Sequence, residues 1–86
     1  MKEKLLDLKV FWLPLTKEIF FKGKVKSISS TNPVGKFDVL PLHANFITLI
    51  FNELEIITEK EEKINYQFKK GVLEVRKNKV NVFLGF

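Results

Sequence analysis

Cysteine is absent from this 86-residue chain, and histidine, tryptophan, tyrosine and methionine occur once each. Without cysteine, disulfides and thiolate metal sites are excluded, and the sequence suits a reducing compartment or is indifferent to redox state. A lone imidazole and two aspartates, Asp7 and Asp38, cannot readily build a zinc site. His43 is the sole side chain whose ordinary pKa suits a base near neutrality. Ser27, Ser29 and Ser30 have no nucleophile motif around them, and no glycine-rich phosphate loop occurs. Glu59, Glu61 and Glu62 form a charge run that reads as a solvated turn rather than an acid–base pair. The chain is therefore not expected to be an enzyme by itself, and neither cofactor nor metal is expected.

Long apolar runs are missing too. No stretch approaches the roughly 20 apolar residues of a membrane-spanning helix. The start, Met1-Lys2-Glu3-Lys4, is basic, but Asp7 and Lys9 interrupt what would be the apolar core of a signal peptide. A soluble protein that can sit against a membrane complex is expected.

What is present describes one small folded domain over residues 1–86. Hydrophobic residues make up 45% of the chain and nine are phenylalanine, which argues for a globular fold and against disorder. A domain this small buries a modest core and tends to lean on partners. The net charge of +5 invites a nucleic-acid reading. However, Arg76 is the one arginine among 15 basic residues, so bidentate contacts are scarce. Lysines on exposed strands are also the ordinary guard against sheet-to-sheet aggregation.

Period-2 alternation recurs along the chain. Leu6, Leu8, Val10 and Trp12 alternate with polar or outward residues until Pro14 stops the run. Helical spacing also fits Leu5, Leu8 and Trp12, but the Val-Phe-Trp content favours a strand. Further strands are expected at Glu18 to Phe21, Lys24 to Ser29, Phe37 to Val39, Phe46 to Phe51, Leu54 to Thr58, Ile64 to Phe68, Val72 to Val75 and Val80 to Leu84. Val25 and Ile28 lie three apart, so one face holds both only with a bulge or a change of side. Ser29 to Pro33 reads as a loop, and Asn52-Glu53, Lys69-Lys70-Gly71 and Lys77-Asn78 read as turns. Phe46 to Phe51 is apolar on both faces, which predicts a central position. About nine to ten short strands at intervals of roughly 8–12 residues predict an all-β fold, a small antiparallel β-sandwich. The acidic run from Glu53 to Glu62 and the basic run from Lys69 to Lys79 are expected at opposite ends of hairpins. The apolar end, Val82 to Phe86, either packs on the sandwich or is partner surface.

Gly35-Lys36-Phe37-Asp38-Val39-Leu40-Pro41-Leu42-His43-Ala44-Asn45 resembles the Gly-Glu-Leu-Gly-Ile-Leu-Pro-Gly-His-Ala-Pro pattern of the epsilon subunit of rotary ATP synthases. Gly71-Val72-Leu73-Glu74-Val75 and Asn78-Lys79-Val80-Asn81-Val82 resemble that family's Gly-Phe-Leu-Glu-Val and Asn-x-Val-Thr-Val stretches. Phe21, Gly23, Val25 and Ile28 match its Phe-x-Gly-x-Val-x-x-Ile pattern. The resemblance runs from about Leu6 to Phe83 and implies the N-terminal β-sandwich of that subunit, with no counterpart of its C-terminal helical pair. Leu42 stands where the pattern has glycine, Asn45 where it has proline, and Lys70 and Glu53 replace turn glycines.

That resemblance implies a non-catalytic rotor subunit at the foot of the central stalk, touching gamma and the polar loops of the c-ring. It would lie peripherally on the cytoplasmic face of the cell membrane. Lys36, Phe37, Asp38, Leu42, His43 and Asn45 become the candidate partner-binding residues, with Lys36 on the c-ring side and His43 nearer gamma. Many family members carry Glu at the position of Lys36, and their c-ring loops present Arg. A lysine here implies an acidic ring loop instead. For His43 the plainer alternative is a turn histidine satisfied by a backbone carbonyl. Two rival functions are a small β-barrel binding single-stranded nucleic acid through Lys22, Lys24 and Lys26, and the same sandwich recruited to another complex. Alternation puts the three lysines on one face, but no aromatic lies between them, so nucleic acid is not the expected partner.

Overall fold

The computed structural model describes residues 4–12 and 18–85. Six strands form: β1 (Leu6–Trp12), β2 (Glu18–Asn32), β3 (Gly35–Val39), β4 (Phe46–Thr58), β5 (Lys63–Arg76) and β6 (Lys79–Gly85). Pro14 and Phe86 lie outside the described residues.

The short strands expected from alternation are there, but several are joined end to end. β2, β4 and β5 each hold two of the predicted segments and serve both layers of the sandwich. Bulges mark the joints, because one extra residue bends a strand without ending its ladder. In the β4–β5 ladder, Phe51 pairs with Lys70 and Asn52 with Phe68, leaving Lys69 as the extra residue. Asn52 takes φ 75 at this bend. The turns predicted at Asn52-Glu53 and at Lys69-Lys70-Gly71 are thus the two sides of one bend.

The same device settles Val25 and Ile28. Val25 pairs with Thr58 and Ser27 with Ile57, so Lys26 is bulged out and both apolar neighbours are fully buried. The loop predicted over Ser29 to Pro33 shrinks to Pro33-Val34, since Ser29 to Asn32 continue β2. Their polar groups find partners that keep them in a strand. Ser30 Oγ donates to the Glu53 carbonyl at 2.6 Å, and Ser29 Oγ donates to Asp38 at 2.6 Å. Asn32 Oδ1 accepts the Val34 and Gly35 amides at 2.9 and 3.1 Å, an Asx-type closure of the hairpin.

Strand order is β1-β6-β5-β4-β2-β3, and β1 also pairs with β2, so five strands close into a ring and β3 adds an edge. The sandwich is antiparallel except at β1–β6, which is parallel. First and last strands are joined by the whole chain rather than a hairpin, so no turn imposes an antiparallel pairing. β4 is central in this order, but its first half pairs only with β5 up to Ile50, leaving Ile47 and Leu49 exposed.

The core is aliphatic. Leu6, Leu8, Val10, Val25, Ile28, Val39, Ile50, Leu54, Ile56, Leu73, Val75, Val80, Val82 and Leu84 are buried. Among the described residues no aromatic is fully buried, and Trp12, Phe21, Phe37, Phe46, Tyr66 and Phe68 pack against the core partly buried. Phe11 stacks on Phe83 at 5.1 Å, Trp12 on Phe20 at 5.2 Å, and Phe20 meets Tyr66 at 5.8 Å. Branched aliphatics fill the small closed interior, and the larger rings cover its outside and rims.

Gly71 is buried in β5 between its ladder partners Ile50 of β4 and Leu84 of β6. A Cβ there would stand 2.7 Å from the Phe83 carbonyl, 3.2 Å from Leu84 and 3.3 Å from Ile50. Backbone cannot step aside as a flexible side chain can. Gly71→Ala is expected to cost about 1–3 kcal/mol of unfolding free energy, read as a lower urea midpoint. An unchanged midpoint would show that the ladder relaxes freely at this bend.

Candidate functional site

The segment between β3 and β4 crosses from one layer to the other, and its shape is set by a tight turn. His43 N–H donates to the Leu40 carbonyl at 3.1 Å, closing a four-residue turn with Pro41 second and Leu42 third. Leu42 has φ 70. Proline second and positive φ third define a type II turn, whose third residue is normally glycine. The glycine missing from the resemblance is thus missing where the backbone favours one.

Two asparagines brace this turn from outside. Asn78 Oδ1 accepts the Leu42 amide at 2.7 Å, and Asn45 Oδ1 accepts the Lys77 amide at 2.9 Å. Asn78 belongs to the two-residue β5–β6 turn, where Lys77 and Asn78 both have positive φ, 49 and 63. That is the primed geometry a two-residue hairpin needs, and asparagine tolerates it well. The Asn78 carbonyl also accepts the Asp7 amide at 2.8 Å, so one residue links β1, the β5–β6 turn and the crossing segment. The sequence marks Asn78 as a turn residue, but its reach across 36 positions to Leu42 leaves no trace in local pattern.

The predicted site residues do not gather at one point. Lys36 and Asp38 face outward from β3, near and far from the hairpin tip, with Asp38 held by Ser29. Phe37 points inward, packs against the core, and meets Phe46 edge-on at 6.0 Å. Phe46 in turn carries the His43 ring at 4.8 Å. His43 Nδ1 lies 2.8 Å from the Ala44 carbonyl, which can only accept, so Nδ1 carries the proton. This is the plain turn-histidine arrangement, and it leaves Nε2 for a partner. Leu42, His43 and Asn45 are exposed together, while Lys36 lies near the hairpin tip of β3, at the strand's other end.

The missed feature is apolar. Leu40 is 54% exposed, Leu42 68% and Ile47 66%, all on or beside the crossing segment. A small concavity of about 240 Å³ lined by Asn45, Phe46, Ile47, Glu74, Val75 and Arg76 adjoins them. Scattered leucines in a loop read as connection, and only the fold shows that they are turned outward together. Among the described residues no group of three or more His, Cys, Asp or Glu could hold a metal ion. The three lysines of the nucleic-acid reading also part company. Lys22 and Lys24 share an outer face, whereas the bulged Lys26 binds Glu61 at 2.9 Å. Phe11 and Phe83 share that outer face, but their rings are stacked on each other. The acidic run from Glu53 and the basic run from Lys69 are not kept apart, since Glu53 pairs with Gln67 and Phe51 with Lys70 at the β4–β5 bend. Only their far ends, Glu59 to Glu62 and Lys77-Asn78, lie at opposite ends of β5.

Five strands thus close into a ring with β3 on its edge, and the segment between β3 and β4 is braced and exposed. Residues 15–84 match the family model described as ATP synthase, Delta/Epsilon chain, beta-sandwich domain, and the chain belongs to that family. It is 31% identical over 64 residues to the ATP synthase epsilon chain of Clostridium botulinum (strain Alaska E43 / Type E3), covering 73% of this chain and 48% of that one. It is 30% identical over 64 residues to the ATP synthase epsilon chain of Clostridium novyi (strain NT), covering 73% and 49%. The chain thus spans about half the length of these relatives. Its fold is also that of a chain in the Euglena gracilis mitochondrial ATP synthase structure with OSCP, F1 and c-ring, at TM-score 0.82, 20% identity and coverage of 95% and 51%. A chain in the Tetrahymena thermophila mitochondrial ATP synthase central stalk and c-ring structure matches at TM-score 0.67, 13% identity and coverage of 98% and 67%.

The strained turn generates a stability prediction. Leu42→Gly is expected to raise stability by up to about 1 kcal/mol, because glycine adopts φ 70 without a Cβ penalty. Asn78→Ala is expected to lower it by about 1–3 kcal/mol, through loss of the bond to Leu42 and a worse residue at φ 63. Both are read by thermal or urea unfolding, and equal effects of the two changes would contradict the assigned turn.

Proposed function

We propose that the chain is a rotor subunit of the central stalk that docks on gamma and the c-ring, couples ring rotation to ATP synthesis, and contributes no catalytic residue. It would then lie peripherally on the cytoplasmic face of the membrane, held there by the complex. The observation that carries this reading is the crossing segment. It presents Leu40, Leu42 and His43 to solvent on a backbone held by the side chains of Asn45 and Asn78. Exposed leucines on a rigid turn cost solubility in a lone protein and suit an apolar contact with a partner. Membership of the family, and a neighbour of the same fold whose structure is of a central stalk and c-ring, support the stalk and the ring as the place of this contact. The nucleic-acid reading has less support, since Lys26 is occupied by Glu61 and Arg76 is the lone arginine.

Mixing the protein with gamma of the same organism should give co-elution on gel filtration that survives high salt, as an apolar contact does. The pair Leu40→Asp and Leu42→Asp should weaken that complex by more than about tenfold with the circular dichroism spectrum unchanged, since aspartate tolerates positive φ. Undiminished co-elution would move the gamma contact elsewhere. Lys36→Glu tests the ring side separately. Weaker binding to the organism's own c-ring is expected, and tighter binding would overturn the acidic ring loop inferred from Lys36.

A further inference from the structure

The outer face of β1, β2 and β6 carries a basic cavity that owes nothing to the crossing segment or to the rotor assignment. Outward residues there alternate with the buried Leu6, Leu8, Val80 and Val82. Register sets Lys9 opposite Lys22 and beside Asn81, and it sets Asp7 between Lys24 and Lys79. These six side chains surround a cavity of about 520 Å³. Its floor is backbone, because the Leu8 side chain is buried in the core and Gly23 has none.

Charge in this cavity is unbalanced. Lys24 gives its ammonium to Asp7 at 3.0 Å, whereas Lys9, Lys22 and Lys79 form no ion pair with a carboxylate among the described residues. Four ammoniums against one carboxylate leave three positive charges in excess around one opening. Like charges directly opposite on neighbouring strands, as Lys9 and Lys22 are, oppose folding unless an anion lies between them.

The size and the surplus together choose the ligand. A volume of roughly 300–1,000 Å³ is that of small-molecule sites, whereas a nucleic-acid surface is an extended groove lined with stacking rings. Lysine ammoniums act as point charges toward phosphate oxygens, and a short phosphate chain concentrates three or more negative charges in so small a space. We propose that this cavity binds a short phosphate chain, either free as pyrophosphate or tripolyphosphate or as the polyphosphate of a nucleotide. Lys9, Lys22 and Lys79 take its oxygens, and Asn81 supplies a neutral donor.

Isothermal titration of the full chain with pyrophosphate, tripolyphosphate, ATP, sulfate and a short oligothymidylate, at about 150 mM salt, tests this. Saturable binding at one site is expected, with tripolyphosphate tighter than pyrophosphate and sulfate undetectable. ATP as tight as tripolyphosphate would identify the phosphate chain as a nucleotide's, and weaker ATP would identify it as free polyphosphate. The pair Lys9→Gln and Lys22→Gln should weaken tripolyphosphate by about tenfold, while the charge-matched pair Lys60→Gln and Lys69→Gln stays within about twofold. Equal losses in the two pairs, absence of saturable binding, or tighter binding of the oligonucleotide would each overturn the proposal.

Discussion

The bend in the β4–β5 ladder at Phe51 and Asn52 is the constraint on which the rest of the fold depends. One extra residue, Lys69, lets two long strands leave one layer and enter the other while their pairing continues on both sides. Gly71 sits beside the bend, close enough to the Phe83 carbonyl that a Cβ has no room. Both layers therefore share strands, and the core between them is made from a few branched aliphatics in close contact. A single small domain gains cohesion this way, because neither layer can separate without breaking continuous backbone ladders.

The same bending places the crossing segment. β3 ends in one layer and β4 begins in the other, so the residues between them must span the gap. Their conformation is fixed by a type II turn and by two asparagine side chains anchored at the β5–β6 turn. Rigid support from a distant hairpin turns a connecting loop into a surface that holds its leucines outward. In the docking role proposed for them, residues held by a braced backbone would lose less freedom on association than mobile ones.

Aromatic residues occupy an unexpected place. With nine phenylalanines in the chain, a ring-filled interior would have been natural. The closed ring of strands instead leaves its fully buried positions to Leu, Ile and Val, and the partly buried rings pack against them or stack on one another.

Alternation by itself determined where strands lie. Leu6, Leu8 and Val10, or Val80, Val82 and Leu84, show their buried face in sequence because side chains on a strand alternate with period two. The three-residue spacing of Val25 and Ile28 even announced a bulge. Pro41 and Leu42 did not by themselves announce the type II turn, which shows in the bond from His43 N–H to the Leu40 carbonyl and the positive φ of Leu42. Tertiary structure alone decided the rest, because a bulge and a turn carry the same local residues and differ only in what pairs across them. Asn52-Glu53 and Lys69-Lys70-Gly71 are therefore one bend instead of two turns. Pairing with distant strands made β1–β6 parallel, let Asn78 reach Leu42, and left Ile47 exposed on a half-flanked strand. It also brought Lys9, Lys22, Lys24 and Lys79 around one cavity, a gathering that depends on register between strands far apart in the chain.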